Sequence, residues 1–345
     1  MCATESFPKR LGSEPTATDT DMMRSNSEIR DRAWCLLWQG KWFWRLLGGA
    51  ILLNVCTQVV YTVLNGILYR LGVFGMTAFT NALEEYAKNG APLPEFTPDR
   101  IVQFASSTAL TMFFVFIMGG IAAFGNGTLV IRAADENEDG WLKSAFGGFR
   151  MPLGLAWLSF RITLIYMGWC LVAFAPLVVV VGLATGSNAS GISAGVGGAA
   201  AYALAVTAGL SLAAAILCVP IYRYRYLFRL KADHPDWSAG QCIRECSALS
   251  DGFKWRCFVH DCSYWKILLA PLLLSALFVA VVVAASTAKH WCAADVGAAV
   301  AAVGALVAIA LYFSLLALIA VAVWYIAVGQ TLLYRDILRE KARQQ

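Results

Sequence analysis

Five long runs without a charged side chain constrain this chain more than any other feature. They cover residues 46–69, 101–131, 162–222, 267–288 and 296–334. A charge at the centre of a bilayer costs about 3 kcal/mol or more, so runs of this kind are what membrane-crossing helices require. The run 162–222 has 61 residues, which is too long for one crossing and suits two crossings of about 20 residues each.

Turn signals decide how the two longest runs are divided. Residues 185–195 are rich in Gly, Ser and Asn, so they predict a tight turn inside the third run. The run 296–334 contains no such cluster and no Pro, and predicts one long or tilted helix. We therefore predict an all-α polytopic membrane protein, a six-transmembrane-helix bundle with interfacial amphipathic helices. The predicted spans are about 46–69, 101–131, 162–183, 197–222, 267–288 and 300–328.

Composition supports the membrane assignment and excludes one class of partner. Hydrophobic residues make up 59% of the chain and charged residues 14%, whereas soluble domains contain about 25% charged residues. The predicted partner is therefore the lipid bilayer. No basic segment forms a recognisable nucleic-acid module, so nucleic acid is not an expected partner.

The distribution of Lys and Arg predicts the orientation. Of the 27 Lys and Arg residues, 23 fall in the N-terminal segment, two alternate loops and the C-terminal segment. The positive-inside rule then places both termini in the cytoplasm. We predict a disordered cytoplasmic tail at 1–22, a membrane domain at 23–334 with a cytoplasmic loop at 223–266, and a cytoplasmic tail at 335–345.

Tryptophans beside basic residues predict interfacial anchors. Trp34, Trp38 and Trp42 follow at intervals of four, after a possible capping box that starts at Ser25. Aromatic side chains beside cations are typical of helices in the headgroup layer. Trp255 and Trp265 have the same character before the fifth span.

The cytoplasmic loop contains a second predicted interfacial helix. Ser238 is its candidate N-cap, and Cys242, Ile243, Cys246 and Leu249 follow at helical spacing. We expect this apolar face to lie on the membrane surface.

Four polar residues in the first span are the candidate site. Asn54, Gln58, Tyr61 and Asn65 have the offsets i, i+4, i+7 and i+11, so they form one polar stripe along the helix. Polar side chains are costly in lipid, which predicts that the stripe faces the bundle interior. It either sets packing through interhelical hydrogen bonds or lines a polar pathway, and the first interpretation is favoured.

Signals for catalysis and for metal binding are missing. The chain contains no GxxxxGK[ST], no HExxH and no Gly-rich nucleotide fingerprint, and its three histidines have no adjacent nucleophile. Several of the ten cysteines share the 223–266 loop, but the CxxC pairs typical of zinc sites are absent there. We predict no catalytic residue, no metal site and no cofactor.

Three segments carry a resemblance to a known family. They are Ile29–Trp42, Val219–Tyr226 and Cys246–Phe258. The first is an amphipathic entry to a span, and the second is a Pro-containing span end followed by tyrosines. The third is a Ser–Gly–Lys segment before an aromatic-rich span. Over Ile29 to Tyr334 the chain resembles bacterial multi-pass proteins of the domain-of-unknown-function nine-seven-five family, although Ile221 replaces the usual Gly after the proline. The resemblance implies a bacterial cytoplasmic-membrane protein and supplies no activity or ligand.

Two functions remain open from the sequence. The first is a non-enzymatic membrane protein that acts in membrane organisation or protein assembly, through membrane-protein partners or self-association. The alternative is a transporter or channel for an uncharged or lipidic solute, suggested by the polar stripe.

Overall fold

The computed structural model describes residues 23–344 except 39–40, 72, 74–75, 90–96, 190–195 and 292–293. The predicted tail 1–22 lies outside the described residues. The described part contains twelve α-helices, one 3-10 helix at Phe146–Arg150 and no strand. The α-helices are α1 Asn26–Trp38, α2 Trp42–Arg70, α3 Met76–Asn89, α4 Pro98–Ala134, α5 Trp141–Ala145, α6 Pro152–Ala189, α7 Val196–Tyr224, α8 Leu227–Asp233, α9 Ala239–Ser250, α10 Lys254–Cys262, α11 Trp265–Trp291 and α12 Ala294–Gln344.

Among the described residues, six helices are long and apolar enough to cross a membrane: α2, α4, α6, α7, α11 and α12. The prediction of an all-α protein with six spans is therefore confirmed. The final charge-free run lies within a single helix of 51 residues, α12, as its lack of turn signals predicts. At 1.5 Å per residue this helix is about 76 Å long, more than twice the hydrocarbon thickness.

Several helices extend beyond the predicted spans. Helix α6 begins at Pro152, so Arg161 lies inside it, and its last turn includes residues 185–189 of the predicted turn. The rest of that turn, 190–195, lies outside the described residues. The segment predicted as a cytoplasmic tail, 335–345, is helical through Gln344 as the continuation of α12, and its Ile337 is fully buried.

The chain divides into two compact units. The first contains residues 1–47, 130–139 and 252–345, and the second contains residues 48–129 and 140–251. Helices α2 and α4 each contribute to both units.

In the first unit, α11 and α12 pack along each other and α1 packs on α12. A Cβ added at Gly304 would lie 2.5 Å from Cβ of Ala285, so this glycine permits a close approach of the two spans. No residue of α11 from 265 to 287 is buried, and the buried residues described in α12 begin at Ala322. The core of the unit therefore lies at the C-terminal end of α12, where α1 and α10 cover it.

In the second unit, the core is formed where α4 meets α6 and α8. Met118, Ile121, Phe124 and Leu155 form its buried cluster, and Phe228 packs against it. A Cβ added at Gly120 would lie 2.8 Å from the carbonyl oxygen of Leu155. Because lipid offers apolar side chains no disadvantage, such close packing is what holds membrane helices together.

Helix α9 docks against α6, α7 and α8. Its predicted N-cap is confirmed, because Ser238 and Gln241 form a reciprocal capping box. The predicted membrane-facing orientation is wrong: Cys242 and Cys246 are fully buried and Leu249 is nearly so. Helices of the same unit cover this apolar face, so protein and not lipid buries it.

Candidate functional site

The polar stripe lies on the exposed side of α2. Asn54, Gln58 and Tyr61 are exposed and Asn65 is half-buried, so the expected position in the bundle interior is not observed. Nδ2 of Asn54 donates to the carbonyl oxygen of Ala50 at 2.8 Å, and Nδ2 of Asn65 donates to that of Tyr61 at 2.9 Å. Both bonds return to the backbone of the same helix.

Four of the five predicted tryptophan anchors are exposed. Trp34, Trp38, Trp255 and Trp265 all belong to the first unit, and Trp255 is the most open, with 73% of its surface exposed. Trp44, which the sequence pattern did not single out, is exposed as well. Exposed indoles next to charged groups are suited to the headgroup layer.

Trp42 is the exception, and its assignment as an interfacial anchor is wrong. Only 1% of its surface is exposed. Helix α1 ends at Trp38, and Lys41 has a left-handed backbone with φ of 56° before α2 begins. This break changes the helix direction, so Trp42 does not continue the face that carries Trp34 and Trp38.

Ion pairs fix the position of α1 and of the residues after α4 in the first unit. Arg24 donates from Nε to Oδ2 of Asp336 at 3.0 Å and from Nη2 to Oδ1 at 2.5 Å. Asp336 is 5% exposed. Arg335 pairs with Asp135 at 2.6 Å, and Arg32 pairs with Glu136. Bidentate contacts between Arg and a carboxylate are strong and directional, especially where one partner is buried.

A further pair links the start of α2 to the segment after α4. Arg45 donates to Glu138 at 2.9 Å. This hydrogen bond holds the pKa of the Glu138 carboxyl below its ordinary value. The capping box predicted at Ser25 is also present, since Ser25 N donates to Glu28 and Glu28 N donates to Oγ of Ser25. Hydrogen bonds from the backbone and the side chain of Ser25 hold the pKa of the Glu28 carboxyl below its ordinary value.

Beneath α1 lies a buried aromatic and polar cluster. His260 is fully buried, and its Nδ1 lies 3.3 Å from Oδ1 of Asn26. The ring of Tyr264 meets the ring of His260 edge-on at 5.1 Å and that of Tyr325 at 5.0 Å. Tyr325 in turn meets Trp34 at 5.6 Å. The cluster connects α10, the start of α11 and α12 to the helix that carries Trp34.

Backbone contacts complete this docking. Arg256 donates to the carbonyl oxygen of Arg24 at 2.6 Å, and Arg30 donates to that of Ser263 at 2.7 Å. Gln330 lies 3.3 Å from Asp261. These contacts join α1, α10 and α12 of the first unit. The charged side chains named here bind backbone carbonyl oxygens and polar side chains of the same unit, and so they fix the positions of its helices.

Helix α9 in the second unit is held by one arginine. Nε of Arg223 donates to Oγ of Ser247 at 2.6 Å, while its carbonyl oxygen accepts from Oγ of Ser250 at 2.8 Å. Burial raises the pKa of Cys242, and it raises the pKa of Cys246 to about 12. These thiols are therefore protonated at neutral pH and are poor metal ligands or nucleophiles. Among the described residues, no cluster of His, Cys, Asp and Glu is arranged to hold a metal ion.

Sequence reasoning missed the partners that fix α1. Asp336 lies two residues after the last charge-free run. From this position in the sequence alone, we would expect its side chain to be exposed to solvent. His260 and Tyr264 lie in a loop that reads as interfacial. Their roles depend on which helices meet, and no spacing in the sequence carries that information.

Comparisons with known proteins give no relative. No family model matches the chain, and no curated protein or solved structure is significantly similar to it. The resemblance to the nine-seven-five family therefore stays a prediction.

Proposed function

We propose that this chain is a non-enzymatic integral membrane protein that organises the membrane around it or assembles with other membrane proteins. We place it in the cytoplasmic membrane of a bacterium, with both termini in the cytoplasm. The surplus of Lys and Arg in alternate segments supports this orientation. The bacterial setting rests on the family resemblance.

One observation carries the proposal: the exposed tryptophans of the first unit belong to helices whose positions are fixed by buried contacts. Trp34 contacts Tyr325, and α1 is tied to α12 by the pair of Arg24 and Asp336. Trp255 stands on α10, whose His260 is fully buried. A rigid display of indoles at the headgroup layer is suited to holding lipid or a neighbouring protein in a defined place.

Retained lipid is the direct test. The triple variant W34A/W38A/W255A removes exposed indoles, and the control L272A/L306A/F313A removes exposed side chains from the apolar part of the spans. Each protein is placed in nanodiscs of phosphatidylglycerol and phosphatidylethanolamine, extracted with detergent and weighed by native mass spectrometry. We expect the triple variant to lose bound phospholipid and the control to keep it. Equal retention in all three proteins would refute the lipid-organising role.

The transporter alternative has a separate readout. Cysteine placed at Asn54, Gln58 or Asn65 labels with a membrane-impermeant thiol reagent only if water reaches the stripe. We expect no labelling, because the stripe lies on an outer face of α2. Labelling, together with faster glycerol entry into proteoliposomes than into protein-free vesicles, would favour the transporter.

A further inference from the structure

The polar stripe on α2 has the spacing of a coiled-coil seam. The steps from Asn54 to Gln58, Tyr61 and Asn65 are four, three and four residues, and Ile51 and Leu68 extend the alternation by three residues at each end. An average step of 3.5 residues keeps one face of a helix against a partner helix over several turns. In heptad terms, Gln58 and Asn65 occupy a positions, and Asn54 and Tyr61 occupy d positions.

The stripe lies where polar groups are most costly. Asn54 to Asn65 straddle the middle of the charge-free run 46–69. Each asparagine uses one N–H on its own helix, which leaves its amide oxygen without a partner in the described residues. Gln58 has no hydrogen bond to any described residue. An unpaired amide at this depth is costly, and a hydrogen bond from another helix reduces that cost.

We infer that a second copy of this chain covers the stripe, so that two α2 helices pack in parallel around a two-fold axis normal to the membrane. All copies insert in the membrane in the same orientation. Each residue of the seam therefore faces the same residue of the second copy. A carboxamide carries both donors and acceptors and is therefore complementary to an identical carboxamide. A polar residue at an a position can also fix the register and the oligomeric state of paired helices.

The tyrosine layer fits the same arrangement. Tyr61 is 39% exposed, and its ring fills a d layer while its hydroxyl can donate across the seam. The flanking layers at Ile51 and Leu68 are apolar, so the amides occupy the centre of the interface. This inference does not depend on the proposed lipid-organising role.

Cysteine cross-linking tests the register. The full-length variants Q58C and V63C are made in a background with Cys56 replaced by Ala, and both are oxidised in native membranes with copper phenanthroline. Val63 is also exposed on α2 but lies on the opposite, f position of the heptad. We expect a covalent dimer for Q58C and none for V63C. Equal cross-linking of both variants, or cross-linking of Q58C to a different protein, would overturn the inference.

Removal of the amide tests its energetic role. The variant Q58L is compared with Q58L/V63Q, which keeps a glutamine in the span but off the seam. Both should dimerise about tenfold more weakly than the wild type in proteoliposomes, measured by energy transfer between labelled copies at decreasing protein-to-lipid ratio. Circular dichroism checks that the variants fold. Wild-type dimerisation of folded Q58L, or recovery in Q58L/V63Q, would refute the seam.

Discussion

At Gly329 on α12, the hydroxyl of Tyr264 occupies the space that a side chain would need. A methyl group added there would overlap this hydroxyl and lie 3.0 Å from Cζ of Tyr264. We expect Gly329→Ala to lower the free energy of unfolding by about 1–3 kcal/mol, the cost of overpacking a filled site. Thermal unfolding in detergent measures this change.

The matched control for that prediction is Gly48→Ala on α2. An added Cβ there meets no atom within 4 Å, so stability should stay constant or rise slightly. The double variant G329A/Y264F should recover part of the loss, since it removes the overlapping hydroxyl. An unaffected G329A protein would contradict the packing described for Tyr264.

Asp336 supplies the second prediction at this scale. Asp336→Asn keeps the shape of the side chain and removes the charge that Arg24 binds. Because Asp336 is almost fully buried, we expect a loss of about 2 kcal/mol in the free energy of unfolding, measured by chemical denaturation in detergent. Glu84→Gln, which disrupts an exposed pair with Lys88, should cost at most about 0.5 kcal/mol. Equal effects would mean that the pair of Arg24 and Asp336 contributes little.

Helix α9 shows how an element can have a clear amphipathic pattern and an unexpected environment. Its N-cap and its apolar spacing are local properties, and both are present as the sequence predicts. What covers the apolar face depends on helices distant in sequence, and there Cys246 lies 3.6 Å from the carbonyl oxygen of Arg223. The pattern identified a buried face and could not say whether lipid or protein buries it.

Burial of Cys246 makes stability depend on pH in the alkaline range. Its pKa is raised to about 12 in the folded protein, whereas an unfolded cysteine titrates near about 8.5. Below pH 8 the thiol is neutral in both states. As the pH rises from about 8.5 towards about 12, only the unfolded state loses the proton. The free energy of unfolding therefore falls by at most about 1.4 kcal/mol per pH unit from this residue.

Denaturation between pH 7 and pH 10 measures this dependence. Cys246→Ala should show a shallower loss of stability with pH than the wild type, whatever its stability at pH 7. The exposed Cys262 supplies the control, and Cys262→Ala should follow the wild-type pH dependence. Identical slopes for all three proteins would exclude a buried Cys246.

At the scale of the whole molecule, six spans fix the sidedness of every loop. Reporter fusions after Gly90, Gly140, Gly191, Gly240, Lys289 and Gln345 test it. We expect exterior signals at Gly90, Gly191 and Lys289 only, because Lys and Arg concentrate in the alternate segments. An exterior signal at Gln345 would mean that α12 crosses twice or that the orientation is different.

The sequence alone determined the number and type of the spans. Charge-free runs such as 101–131 and 267–288 are local properties, and the cost of a charge in lipid applies wherever the helix packs. Capping at Ser25 and Ser238 was predictable for the same reason, because a cap involves residues three apart. The single long α12 followed from the absence of a turn signal.

Only the tertiary structure decided which faces are covered. Trp42 and Trp38 have the same spacing in the sequence, but a turn at Lys41 buries one and exposes the other. Asp336 becomes a buried partner of Arg24 across more than 300 residues. Three of the four polar residues of the α2 stripe are exposed where their composition predicts the interior. Whether a side chain is buried depends on contacts between helices that are distant in sequence. In lipid, no general hydrophobic force selects which helices pack together.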